Sequence, residues 1–219
     1  HQHDRCARHE GLEQQLWNAR PLEVPVQEHG HRQAIGHGHG GRLQLDGETQ
    51  YRHDKDGNLV EKTEPDGKTW TYTWDGAGQL ASVTRPDGRT VAFAYDPLGR
   101  RVKKTANGAT TTFVWDGNDV LHEIPNTAPM VTWLFEPDTF GPMLKIEGPG
   151  ALAEKRSGVV TDHLGSPIAM VDELGQLAWQ AQLDVFGVAP TDVAKTSCPW
   201  RWPGQYEDEE TGLHYNRFR

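Results

Sequence analysis

Asp162, His163 and Ser166 are the residue types of a hydrolytic triad. In a triad a carboxylate orients an imidazole, and the imidazole takes the serine proton. Adjacent strand residues point to opposite faces, which leaves Asp162 badly placed to orient His163. The same residues fit an Asp-x-x-Gly turn closed by Gly165, and the turn is the better reading. A second candidate is the acidic run Glu207, Asp208, Glu209, Glu210. Such a run can chelate a cation or act as paired carboxylates. Leading into Thr211-Gly212, it is expected to be a solvated turn before a strand. His29, His31, His37 and His39 form a cluster, and imidazoles suit zinc, copper or nickel. Glycines surround them and no acidic ligand is close, so a surface loop is expected. Asp54-Lys55-Asp56-Gly57 imitates the start of an EF-hand loop. Its glycine comes too early, and Pro65 stands where the closing glutamate belongs. These residues predict no catalytic site, no metal and no cofactor.

The whole chain narrows the classes further. Its 219 residues carry a formal charge of −9, with 35% hydrophobic residues, 24 Gly and 14 Pro. The main apolar resource is aromatic: 8 Trp, 5 Tyr and 6 Phe. A nucleic-acid binder shows a basic face. The densest basic stretch here is only Arg100, Arg101, Lys103 and Lys104, so no nucleic-acid partner is expected. No apolar run approaches the roughly 20 residues that span a bilayer. Cys6 and Cys198 are too few for a disulfide framework or a zinc quartet. The chain begins at His1 and shows no signal-peptide pattern. It is expected to be a processed or expressed piece of a longer polypeptide, or a gene remnant.

The elements that must hold these residues repeat. Asp54, Asp75, Asp96 and Asp116 are spaced 21, 21 and 20 residues apart. Three positions before them stand Tyr51, Tyr72, Phe93 and Phe113, and directly before them His53, Trp74, Tyr95 and Trp115. Three positions after come Gly57, Gly78 and Gly99, with Asp119 in the fourth copy. Further turns fall at Asp66-Gly67, Asp87-Gly88 and Asn107-Gly108. Asp accepts hydrogen bonds from the amides that follow it, and Gly supplies positive φ at no steric cost. Between turns the period is two. Trp70, Tyr72 and Trp74 share one face while Thr69, Thr71 and Thr73 share the other. The spacing predicts an all-β chain of antiparallel hairpins with aromatics stacked across strands. Sugar stacking on those aromatics is a weaker reading than packing.

Residues 1–40 show no clear repeat and are expected to be irregular or degenerate. Residues 41–125 hold the regular units, and 126–219 hold looser hairpins. Gly148 to Gly158 reads as a loop. Asp-x-x-Gly recurs at Asp162–Gly165, Asp172–Gly175 and Asp184–Gly187. The chain's last strand, ending at Phe218, is expected to leave an unpaired edge, with another near Leu43. Oligomerisation or aggregation is the expected consequence.

The run of YxxDxxGxL units, then FEPDTFGPMLKIEG, VVTDHLGSPIAMVDELGQLAWQAQLDVFG and PWRWPGQYEDEETGLHYNRFR, closely resembles the core of Rhs/YD-repeat proteins. The match covers about Arg42 to Arg219. The resemblance implies hairpins wound into a curved, spiralling sheet that is part of a hollow β-shell. It implies a non-enzymatic structural role in a bacterial polymorphic toxin, a type VI secretion effector among them, in which the shell encloses a C-terminal toxin. The implied partners are the remainder of the shell, that toxin domain, and a secretion apparatus or chaperone. Implied localisation is secretion or delivery by a bacterial system, with the fragment itself able to sit in the cytoplasm. No self-cleavage residue of the family carries over. The alternatives are a YD-repeat module that binds carbohydrate or a partner protein, and, further down, a hydrolase.

Overall fold

The hairpin units are built from one turn chemistry used in three settings. The computed structural model describes residues 35–38, 42–150, 153–183 and 191–218. Cys6, His29, His31, His39, Asp184 and Gly187 lie outside them. At Asp75 the carboxylate Oδ1 accepts from the amides of Ala77 and Gln79, both at 2.9 Å. Gly78 then closes the turn onto the Asp75 carbonyl with φ at 75°. Asp54, Asp96, Asp162 and Asp172 take the amide four residues on in the same way. At the opposite ends of the strands Asp66 and Asp87 sit inside the turn and accept from the amides of Lys68 and Arg89. Asn107 and Gly108 both have positive φ, 52° and 80°. They form the tight two-residue turn that matches the twist of paired strands. The fourth copy differs from the expected pattern. Gly117 makes a two-residue turn that pairs Asp116 with Asp119, so Asp119 opens the next strand and no four-residue turn forms.

These turns separate the strands. β1 (Ile35–His37) and β2 (Leu43–Asp46) precede β3 (Thr49–His53), β4 (Leu59–Thr63), β5 (Thr69–Trp74), β6 (Leu80–Thr84), β7 (Thr90–Tyr95), β8 (Arg101–Ala106), β9 (Ala109–Asp116) and β10 (Asp119–Pro125). β11 (Val131–Phe135), β12 (Pro142–Glu147), β13 (Lys155–Thr161), β14 (Pro167–Asp172), β15 (Leu177–Ala181) and β16 (Thr191–Ala194) follow. β17 (Gln205–Asp208) and β18 (Leu213–Asn216) come last. β1 to β16 pair in sequence order in one curved antiparallel sheet. β1 lies inside the stretch expected to be irregular. β13 takes the last four residues of the expected Gly148–Gly158 loop, where Gly158 pairs with both Leu144 and Val171.

In the units of Asp75 and Asp96 the aromatic residue before the Asp sits at a register shift, between Thr73 and Trp74 and between Ala94 and Tyr95. Its ring leans back over the preceding unit. Trp74 Nε1 donates to the Leu59 carbonyl at 2.7 Å, Tyr95 Oη to the Leu80 carbonyl at 2.9 Å, and Trp115 Nε1 to the Arg101 carbonyl at 2.8 Å. The aromatic face is the buried one: Val83, Val91, Phe113, Val120, Trp133, Met170 and Trp179 are all buried on it.

The final hairpin does not extend the sheet. β17 and β18 form their own two-stranded sheet, whose rings pack into the same core as Phe113, Trp133 and Trp179. β18, the last strand, is an edge strand as expected, but of this small sheet rather than of the large one. Among the described residues the large sheet ends at β1 and β16, and the edge expected near Leu43 is covered by β1. The cause is aromatic: Trp200 lies edge-on to Trp133, Phe135 and Tyr206, with centroids 5.9, 5.0 and 5.3 Å away. Burying those rings outweighs adding a short edge strand.

Candidate functional site

The seat of the terminal hairpin gathers the buried charges among the described residues. β8 supplies Arg101 and Lys104, β10 supplies Glu123, and β12 supplies Lys145 and Glu147. The hairpin supplies Tyr206, Asp208, Glu210 and Tyr215. Arg101 and Asp208 are each 2% exposed, and Arg101 NH1 lies 2.5 Å from Asp208 Oδ2. The guanidinium is caged by rings, 4.9 Å from the Phe113 centroid, 5.0 Å from Tyr206, 4.5 Å from Tyr215 and 5.4 Å from Phe93. Planar and weakly hydrated, an arginine tolerates such a cage where a lysine would not. Lys104 Nζ bridges Asp208 Oδ1 at 3.2 Å and Glu210 Oε2 at 2.9 Å.

Next to this pair lies a carboxyl with two neutral donors. Glu123 Oε1 accepts from Trp133 Nε1 at 2.6 Å, and Oε2 accepts from Tyr206 Oη at 2.8 Å. Glu123 is half-buried as a residue, and its carboxyl end sits inside. That burial pushes its pKa up, against the pull of the two hydrogen bonds and of Lys145 and Lys104. Burial, and then the charge of Glu123, pushes the Tyr206 phenol well above its ordinary range.

Lys145 stands directly across from Trp133 in the ladder and is 2% exposed. Its Nζ donates to Thr196 Oγ1 at 2.8 Å and to the Ser197 carbonyl at 2.9 Å, and lies 3.1 Å from Glu147 Oε1. It fixes the segment that leads from β16 into the hairpin. Arg201 pairs with Glu207 and donates to the carbonyls of Cys198 and Trp200. Burial pushes the neighbouring Cys198 thiol up to about 12.

The other candidate chemistry resolves differently. Asp162 spends Oδ1 on the amides of Leu164 and Ser166, and His163 is exposed while Ser166 is buried. The side chains of Asp162, His163 and Ser166 make no hydrogen bond with one another, and all three belong to a turn rather than a strand. The acidic run is not simply a solvated turn, which corrects that expectation. Glu207 and Asp208 belong to β17, and basic partners far back in the sequence draw Asp208 inside. Only Glu209 to Gly212 form the turn. Among the described residues no group of three or more His, Cys, Asp or Glu could hold a metal ion. No helix among them is long and apolar enough to cross a membrane.

Sequence reasoning missed the seat, yet one signal was present. Arg101 occupies the repeat position held by Leu59 and Leu80, five residues after the anchoring Asp. A charge at an inward apolar position of a repeat requires a buried partner, and Asp208 is that partner.

Comparison with known proteins completes the picture. The family model for the teneurin YD-shell matches residues 24–215. The chain is 33% identical to double-stranded DNA deaminase toxin A of Burkholderia cenocepacia, over 86% of this chain and 15% of that protein. It is 32% identical to toxin protein Tse5 of Pseudomonas aeruginosa, over 82% of this chain and 16% of that protein. It thus spans about 15% of the length of these relatives. The fold is shared with a Photorhabdus luminescens Tc holotoxin pore structure, at TM-score 0.53 and 17% identity over 78% of this chain and 11% of that one. A TcdB2-TccC3 crystal structure matches at TM-score 0.52 and 17% identity, again over 78% of this chain and 12% of that one. Hairpin repeat, aromatic staples and matched span agree, and the chain belongs to the teneurin YD-shell family, with Rhs-type toxins as its relatives.

Proposed function

We propose that the chain is a non-enzymatic wall segment of an Rhs-type toxin shell, which encloses a C-terminal toxin domain of a longer protein. The observation that carries this is the unbroken order of β1 to β16 in one sheet. The terminal hairpin is fixed to its aromatic face by ion pairs rather than by a catalytic constellation. Every buried charge of the seat has a structural partner, which leaves no general acid, base or nucleophile over a reaction centre. The proposed route out of the cell is a bacterial secretion system of the type VI class, with a secretion apparatus or chaperone as transient partner. The names of the relatives describe activities of those proteins, and we assign such activities to domains outside the wall.

Two measurements test this. A longer product carrying this segment with its flanking sequence is expected to protect the domain after Arg219 from protease until the shell is denatured. A domain cleaved as fast in the native product as in denaturant overturns enclosure. The 219-residue chain alone is expected to show no turnover on DNA, peptide or glycan substrates. An activity abolished by one substitution in the seat overturns the non-enzymatic reading.

A further inference from the structure

The face of the large sheet that points away from the core changes character along its length. Over β5 to β9 it is a row of hydroxyl pairs: Thr73 with Ser82 at 2.7 Å, Thr84 with Thr90 at 3.2 Å, and Thr105 with Thr110 at 3.1 Å. Over β11 to β14 the same face turns aliphatic. Trp133, Lys145, Ser157 and Met170 are buried on the core side, and alternation sends their neighbours outward. Leu134, Leu144, Gly158 and Val171 therefore stand in one line across the four strands. In and beside that line, Leu134, Met143, Val160 and Ile168 are 39%, 48%, 44% and 39% exposed. Gly158 leaves a dimple in the middle, where an added Cβ would meet only Val171 Cγ2, at 3.7 Å. The hydroxyl pairs satisfy one another and need no cover, whereas contiguous aliphatic carbon on a bare face marks an interaction surface.

We propose that this strip seats one amphipathic helix from another part of the longer polypeptide. The proposal rests on the wall-segment reading above. Four strands about 4.8 Å apart, each with about two outward positions in the strip, give a footprint of roughly 20 Å by 14 Å. A helix is about 10–12 Å wide, and about 13 residues span 20 Å, so one helix of under four turns covers the strip. A helix layered on an apolar sheet face is a standard way to bury it. A second copy fits less well, because a specific dimer buries about 800 Å² per partner and the strip offers roughly a third of that. So small a contact does not offset the freedom lost when separate molecules associate. A tethered segment loses far less, since its partner is always at hand. The strip lies on the face opposite the terminal hairpin, so it is a separate seat from the one described above. The matched relatives have the polypeptide to supply such a helix, because this chain covers only 15% and 16% of their length.

The test reads methionine oxidation by peroxide in two proteins, the 219-residue chain and the longer protein that carries it with its flanking sequence. Met143 sits in the strip, and the buried Met170 is the internal control. In the longer protein Met143 is expected to oxidise about tenfold more slowly than in the chain alone, because oxidation waits for the helix to lift off. Gly158→Lys places a charged side chain in the dimple, where there is space for its Cβ. It is expected to return Met143 to the fast rate in the longer protein, with thermal unfolding of the variant checked against the parent. A diazirine methionine analogue at position 143 is expected to cross-link, in the longer protein, to residues three and four apart on one segment. Equal oxidation of Met143 in the two proteins, or slow oxidation in a folded Gly158→Lys variant, overturns the proposal. So do cross-links at alternate residues, which assign the strip to a strand. So does Met143 protection that grows with the concentration of the 219-residue chain, which assigns the strip to a second copy. The oxidation assay reads the strip and the protease assay reads enclosure, so each fails separately.

Discussion

At the scale of residues, the seat is held by charges that are costly to bury singly. Asp208→Ala leaves Arg101 inside without its carboxylate, and breaking such a pair costs about 3–5 kcal/mol. Denaturant unfolding of this variant is expected to show that loss. Arg101→Met combined with Asp208→Leu removes both charges and is expected to restore most of it, because apolar replacement of a whole buried pair is near neutral or stabilising. Glu123 gives a pH dependence of defined sign. Its folded pKa is raised by burial, so its contribution is present below the unfolded value, about 4.3, and is lost as pH rises through the folded value. Glu123→Gln keeps an acceptor for Trp133, and the Tyr206 hydroxyl can turn to accept from the amide. The variant is expected to gain on the parent as pH rises from about 4 toward neutrality. A stability difference flat in pH would remove Glu123 as a buried titrating group. The depressed carboxyl of Glu210, whose burial is outweighed by Lys104 and its other partners, acts oppositely in both proteins and cancels in that comparison.

At the scale of elements, the turns and staples set the register. Gly78 has φ at 75° and nothing within 4 Å of an added Cβ. Gly78→Ala therefore isolates the backbone term, and a loss of about 1–2 kcal/mol is expected on denaturant unfolding. Trp115→Phe keeps an aromatic ring but removes the donor to the Arg101 carbonyl and part of the indole packing, for an expected loss of at least about 1 kcal/mol. The sheet was legible in the sequence because its determinants are local. Asp75, Gly78 and the alternation of Trp70, Tyr72 and Trp74 lie within a few residues of the structure they impose. Turn chemistry also told against the Asp162 triad. The seat was not legible, because its determinants are remote: Asp208 and Arg101 are 107 residues apart. The acidic run looks solvated until that partner is placed. The return of the last hairpin was hidden for the same reason, since the local pattern of HYNRFR is that of a strand whether it extends the sheet or folds over it.

At the scale of the whole molecule, the large sheet ends, among the described residues, in two short edge strands, β1 and β16. Edge strands recruit further strands, and lysine on an edge discourages this. Light scattering is expected to find the parent self-associating at concentrations where Ala194→Lys does not. A strictly monomeric parent would show those edges to be covered. The position of the seat in the chain has a consequence for order in time. Arg101, Lys104, Glu123, Trp133 and Lys145 all precede the hairpin they hold, and each staple ring reaches back to a strand already made. Synthesis runs from the N-terminus, and folding of emerging chains follows it. The receptor for the hairpin is thus complete before the hairpin leaves the ribosome, and docking is a closing event with nothing to wait for. A chain stalled after Ser197 would display that receptor empty, with Arg101 and Lys104 uncapped among exposed rings, and would be the species most in need of a chaperone.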